Sequence, residues 1–221
     1  MNIEWANQFK TIQKEIGKES TFTHAIDLLL LLRNIMFDEL IRLKNTLELD
    51  EFCAIPFINL TGYHSKTIAY SIWHVFRIED IVINTLVKKD TQVFFSGKYQ
   101  NLINSPIITT GNELIKEEIA SFSKQLNVDY LFDYIINVKN NTDTFLKTLS
   151  YQDLRIKMGS SDKTNLLSLN VVSHSELSFW LIDYWCGKDI KGLILMPLSR
   201  HWMMHIEAMK RIENKLISKK K

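Results

Sequence analysis

The sequence predicts an all-α fold, a four-helix bundle with additional short helices in a single domain spanning residues 1–221. Three observations carry that reading. Seven Gly and three Pro among 221 residues leave long stretches without a helix breaker. Apolar residues recur at three- and four-residue spacing, whereas no segment alternates as a half-buried strand does. Capping residues stand in front of several of these periodic stretches.

The elements follow in order. Trp5, Phe9, Ile12 and Ile16 share one face of a short helix over Ile3 to Ile16, which Gly17 can close. Ser20 or Thr21 can then cap a long helix reaching about Leu49. Its apolar residues cover more than one stripe, interrupted by Asp27, Arg33, Asp38 and Glu39, as in a helix embedded in a bundle. After a connection containing Pro56 and Gly62, His64 to Lys89 holds no Gly or Pro, is apolar over a wide arc and ends in lysines.

Residues Asp90 to Gly111 are less regular and suit a loop or short helices. Thr110-Gly-Asn-Glu113 matches a capping box for a helix from about Asn112 to Leu126, and Asn127 can cap the next, which extends to Leu149. Ser173-His-Ser-Glu176 is a second box, opening Leu177 to Trp185 before Gly187. Thr164 to Val172 either extends that helix backwards or forms a separate turn. The last helix starts near Pro197, a natural first-turn residue, and runs to Ile217.

A formal net charge of +2, with 24% charged and 46% hydrophobic residues, gives no nucleic-acid bias. The longest apolar runs, Leu28 to Leu32 and Leu193 to Leu198, are far too short to span a bilayer, and the terminal "SKKK" reads as a solvated end, too weakly charged for a polybasic membrane anchor. Cys53 and Cys186 form no CxxC pattern, and "MNIEWANQFK" has no apolar signal core. The expectation is a cytoplasmic protein in a reducing compartment.

The chemistry concentrates in "LSRHWMMHIEAM", residues 198–209. Leu198, His201, His205, Ala208 and Ile212 fall on one helical stripe, with Glu207, Lys210, Arg211 and Glu213 off it, so both imidazoles should face inward. Residues four apart on a helix have Cβ atoms about 5–6 Å apart, a separation two imidazoles can close around one ion. HxxxH spacing also arises by accident, and a third ligand is needed. His74, flanked on its helix face by Thr67 and Ser71, is available. Taken alone it reads as a hydrogen-bonded core histidine. His24, His64 and His174 sit near helix starts or in capping contexts, and neither cysteine has an adjacent base to make it a nucleophile.

"SIWHVFRIEDIVINTLV" followed at long range by "LMPLSRHWMMHIEAMKRIENKL" resembles the DinB-like (DinB/YfiT) superfamily of metal-binding four-helix-bundle proteins. The resemblance is specific at these two segments, in their order and separation. It implies that His74, His201 and His205 bind a divalent metal ion (Zn, Ni, Fe or Mn), with positions open to water or substrate. Where many members carry Gly-Gln after the second histidine of the pair, this chain has Ile206-Glu207-Ala208, and Trp202, Met203 and Met204 stand between the histidines. Candidates for orienting the imidazoles are Ser71, Ser199 and Glu207, with Arg200 as a candidate for an anionic substrate group.

The resemblance further implies an enzyme, a transferase joining a low-molecular-weight thiol of the bacillithiol type to an electrophilic small molecule, or a hydrolase. A non-catalytic metal- or ligand-binding stress-response protein and a metal-free helical module are the alternatives. A homodimer is compatible with a bundle of this kind.

Overall fold

Asn2 opens the first helix by accepting hydrogen bonds from the Glu4 and Trp5 amides at 2.9 and 3.3 Å. In the computed structural model, which describes residues 2–220, this helix is α1 (Ile3–Glu15). A 3₁₀ turn leads into α2 (Phe22–Thr46), where the Thr21 hydroxyl donates to the Glu15 carbonyl at 2.8 Å instead of capping α2. The short α3 (Leu49–Cys53) follows.

The next long helix begins later than the composition suggested. Thr67 accepts from the Tyr70 amide at 3.0 Å and so starts α4 at Ile68. α4 (Ile68–Asp80) continues as a π-helical segment over Ile81–Val87. Every residue from Thr67 to Leu86 is buried, so this is the central rod of the fold. Then come α5 (Val93–Ser96), α6 (Tyr99–Leu102), α7 (Glu117–Gln125) and α8 (Val128–Thr148), the last capped by Asn127 as its sequence predicts. α9 (Ser160–Ser168) is a separate helix, which settles the ambiguity at Thr164 to Val172. It is followed by α10 (Glu176–Cys186), α11 (Ile190–Leu195), a π turn over Met196–Arg200 and α12 (His201–Lys220). Among the described residues no strand forms; Lys157 and Asp189 make an isolated bridge. No helix is long and apolar enough to cross a membrane.

Neither predicted capping box forms, and the Thr110 hydroxyl is buried without a hydrogen-bond partner. The Thr109 hydroxyl donates to Glu113 inside a loop, and α7 starts only at Glu117. Ser173 accepts from the Ser175 amide at 3.2 Å, leaving Ser175 to cap α10.

The four long helices pack in a ring. α2 touches α8 and α12, and α4 touches the same two; α1 lies along α2. One apolar core runs through these helices. A second cluster joins Ile78, Ile81, Val82 and Leu86 to Leu166, Leu181, Ile182 and Trp185, fastening α9 and α10 to the π-helical end of α4.

A buried polar network crosses the ring. Arg33 on α2 donates through both terminal nitrogens to Glu79 on α4 (2.7 and 3.0 Å), through Nε to Asp143 on α8 (2.7 Å), and to the Leu198 carbonyl (2.8 Å). Trp202 on α12 donates its indole N–H to Glu79 at 2.8 Å, and the guanidinium lies 4.4 Å from the Trp202 ring centroid. Lys139 neutralises the other Asp143 oxygen at 2.6 Å. Burial alone disfavours the Arg33 charge, but Glu79 and Asp143 more than offset it and raise its pKa. Breaking such a buried pair leaves one charge uncompensated.

Glu79→Ala should therefore lose about 3–5 kcal/mol in urea denaturation, while Arg33→Met combined with Glu79→Leu should lose less than either charge-stranding single variant. Additive losses in the double variant would contradict the coupling.

Candidate metal centre

His74, His201 and His205 meet in the interior between α4 and the start of α12. Ring centroids are 4.6 Å apart for His201–His205, 5.0 Å for His74–His205 and 5.2 Å for His74–His201. One ring nitrogen from each lies within 4.8 Å of the others, close enough to share an ion once the rings turn to bonds of about 2.0–2.1 Å. All three side chains are buried.

Two local devices bring α12 into register. Pro197 lacks the N–H that an α-helix would use at that position. The chain passes it in the π turn Met196–Arg200, where the His201 N–H reaches back to the Met196 carbonyl. Arg33 takes the Leu198 carbonyl, and Ser199 donates to the Ile194 carbonyl at 2.9 Å. Trp202, expected between the histidines, points instead into the Glu79 network, packed 4.6 Å from Phe76 between ring centroids. It anchors α12 without filling the site.

His74 has its outer nitrogen fixed. Its Nδ1 lies 2.6 Å from the Thr110 carbonyl. A carbonyl only accepts, so Nδ1 carries the proton and Nε2 keeps its lone pair. Tyr70 stacks on the His74 ring at 5.4 Å and 9°, and donates its hydroxyl to the Gly111 carbonyl at 2.8 Å. Arg77 holds the Ile108 carbonyl of the same loop at 2.6 Å. Gly111 has φ +75°, and a Cβ there would stand 2.8 Å from the Trp73 ring. The loop can approach α4 only with glycine at that position.

The remaining nitrogens decide whether a metal fits. His201 Nδ1 and both ring nitrogens of His205 are buried with no hydrogen-bond partner. Such groups are costly to leave unpaired, and lone pairs of neutral imidazoles are what a divalent ion takes up. The donor set fits an ion.

The candidates for orienting the rings have other partners. Ser71 donates to the Thr67 carbonyl at 2.8 Å, a turn below it on its own helix, and Ser199 is engaged as described. Glu207 accepts from the Asn2 amide at 2.7 Å. Arg200 is exposed and lines neither cavity beside the histidines. Sequence reasoning missed the groups that do flank the site. These are Thr110 through its carbonyl, Tyr70, Tyr63 (whose ring meets His205 edge-on at 4.8 Å), Asn112 and Lys66. The glycine after Thr109-Thr110 was the available signal for the loop.

Two cavities reach the histidines. One, of about 290 Å³, is lined by His74 and His201 with Ile78, Trp180, Trp185 and Met196. The other, of about 510 Å³, is lined by His74 and His205 with Lys66, Tyr70 and Leu177. Tyr63 and Asn112 border both. A larger groove of about 610 Å³ around Lys44, Phe52 and Gln125 contains no such ligand group among the described residues. The other histidines have local partners: His24 pairs with Glu15 at 2.6 Å, His64 lies 2.9 Å from an Arg211 nitrogen, and His174 stacks on Phe179.

The sequence matches none of the known protein-family models, and no curated protein matches it. The functional reading stands on the site.

Two outcomes test this geometry. Burial pushes the His74 pKa down to about 4, with the Thr110 carbonyl resisting and Lys66 adding to the shift; burial also holds His201 and His205 well below the ordinary value. In the unfolded chain a histidine titrates near about 6.5. Between the folded and unfolded values the unfolded chain binds more protons, so stability falls as pH falls. Chelator-treated protein should lose unfolding free energy from about pH 6.5 downward, and His205→Leu should flatten that slope; a wild-type profile level from about pH 6.5 to 5 would contradict three neutral imidazoles. Gly111→Ala should cost about 1–3 kcal/mol in thermal or urea unfolding, because its φ is positive and its Cβ meets Trp73.

Proposed function

We propose that this protein is a divalent-metal-dependent four-helix-bundle enzyme of the DinB-like kind, activating a low-molecular-weight thiol toward an electrophilic small molecule. The observation that carries the reading is the trio of buried neutral imidazoles, with unpaired nitrogens, opening onto two cavities. The ring in which α2 and α4 each touch α8 and α12 supports the bundle architecture. His74, His201 and His205 would hold the ion, which when bound supplies Lewis acidity and lowers the pKa of a thiol or water toward neutrality.

The chain's own groups supply the rest. Thr110 keeps the His74 proton on Nδ1 and thus its Nε2 lone pair free. Trp180, Leu181, Trp185 and Pro197 make an apolar wall that suits an electrophile of aromatic or aliphatic character and limits water beside it. Asn112 brings a buried carboxamide oxygen without a partner to the border of both cavities, where it can accept a hydrogen bond from a bound reactant.

Protein purified without a histidine tag is expected to contain about one divalent ion per chain by elemental analysis. The loaded protein should consume thiol in the presence of an electrophile, with His201→Ala abolishing turnover. Turnover retained in that variant would refute catalysis at this site. Stoichiometric metal without turnover would leave a binding protein, and absence of metal would leave a helical module.

A further inference from the structure

The two cavities beside the histidines differ in charge. The one on the His201 side has no charged side chain in its lining, its two histidines being neutral. The one on the His205 side is bordered by Lys66 and Lys116 and by no carboxylate. Lys116 is exposed at the rim, with a positive φ of 45°. Lys66 is half-buried, directly before the Thr67 cap of α4, and its ammonium lies 5.0 Å from the centroid of the Tyr70 ring that stacks on His74.

Lys66 has no acidic partner among the described residues. Among the described residues, no hydrogen bond or ion pair to a carboxylate engages it, in contrast to Arg33, Arg42, Lys139 and Lys163, which all do so. A half-buried ammonium is costly unless paired, and the ring face of Tyr70 compensates only in part. Burial correspondingly lowers its pKa. An anion entering this cavity would meet a positive group on one side and the His74–His205 edge on the other.

We propose that Lys66 is an anion-recognition residue and that the molecule reaching the metal centre through the His205-side cavity carries a carboxylate. This rests on the metal reading above and adds the chemical class of one reactant. The ligand spans the cavity with its carboxylate on the ammonium and its metal-binding atom toward the histidines; the uncharged cavity remains for an apolar partner.

The test uses full-length protein loaded with Co(II), whose visible d–d bands report binding at the histidines, and titrates two small thiols. Mercaptoacetate carries a carboxylate and 2-mercaptoethanol does not; both are followed by the thiolate-to-cobalt absorption in the near ultraviolet. Wild type should bind mercaptoacetate about tenfold more tightly than 2-mercaptoethanol, the size of one charge-assisted contact. Lys66→Met should erase that preference and leave 2-mercaptoethanol affinity unchanged, which also shows that the variant is folded. Equal affinities in wild type, or a preference that survives in Lys66→Met, would overturn the assignment while leaving the metal site intact. Failure of Co(II) to give d–d bands would overturn the metal reading and this inference with it.

Discussion

The Arg33–Glu79 pair is the constraint on which the arrangement of this molecule turns. Hydrophobic packing alone would allow α12 to rotate or slide against α4, because Leu, Ile and Met side chains fill space without specifying one register. The guanidinium does specify one. It must satisfy Glu79, Asp143 and the Leu198 carbonyl together, and Glu79 must also receive the Trp202 N–H. These partners lie on all four long helices or at the start of α12. Displacing any one strands a buried polar group. Trp202 follows His201 directly, so the face that seats the indole in the network turns both histidines toward His74.

The same logic explains how the centre is assembled around side chains of low polarity. Three buried imidazoles are tolerable because they stay neutral, and burial keeps them so. One of them is tied down from outside by the loop that ends in Gly111. That loop is itself held at three points, by Arg77 on Ile108, Tyr70 on Gly111 and His74 on Thr110. The other two have no such tether to a backbone carbonyl; they are carried by α12, with the Tyr63 ring edge-on to His205. The site thus combines one fixed imidazole with two whose ring nitrogens lack hydrogen-bond partners.

Much of this was legible in the sequence, within limits set by what each residue type reveals. Apolar periodicity placed the long helices, and the stripe through Leu198, His201, His205, Ala208 and Ile212 put two imidazoles inside, where all five residues are buried. Glu213 escaped the same reasoning. Off the stripe, it is nonetheless buried because Arg42 on α2 grips both of its oxygens at 2.8 and 2.6 Å. Arg33 read as an interruption of an apolar helix, since nothing local distinguishes a solvated arginine from one with three partners far along the chain. Serines near the histidines were natural candidates for orienting them, but a hydroxyl on a helix finds its own backbone first, as Ser71 and Ser199 do. The partner of His74 is a backbone carbonyl, and carbonyls leave no mark in a sequence.

Pro197 shows why the reading of the last helix was right in its residues and incomplete in its geometry. A proline at a helix start is ordinary, yet here helical structure precedes it in α11 and continues beyond it. The π turn accommodates the missing N–H and frees the Leu198 carbonyl for Arg33. A π turn inserts one extra residue relative to an α-helix, about 100° of rotation for everything that follows at 3.6 residues per turn. Without that insertion, the part of α12 that follows could not keep its present phase relative to α11, and a histidine stripe continued from α11 would face elsewhere. The non-helical passage at Met196, with φ −120° and ψ −73°, is therefore part of what aims His201 and His205 at His74. The convergence of the three imidazoles depends on a local departure from the α-helix as much as on the histidines themselves.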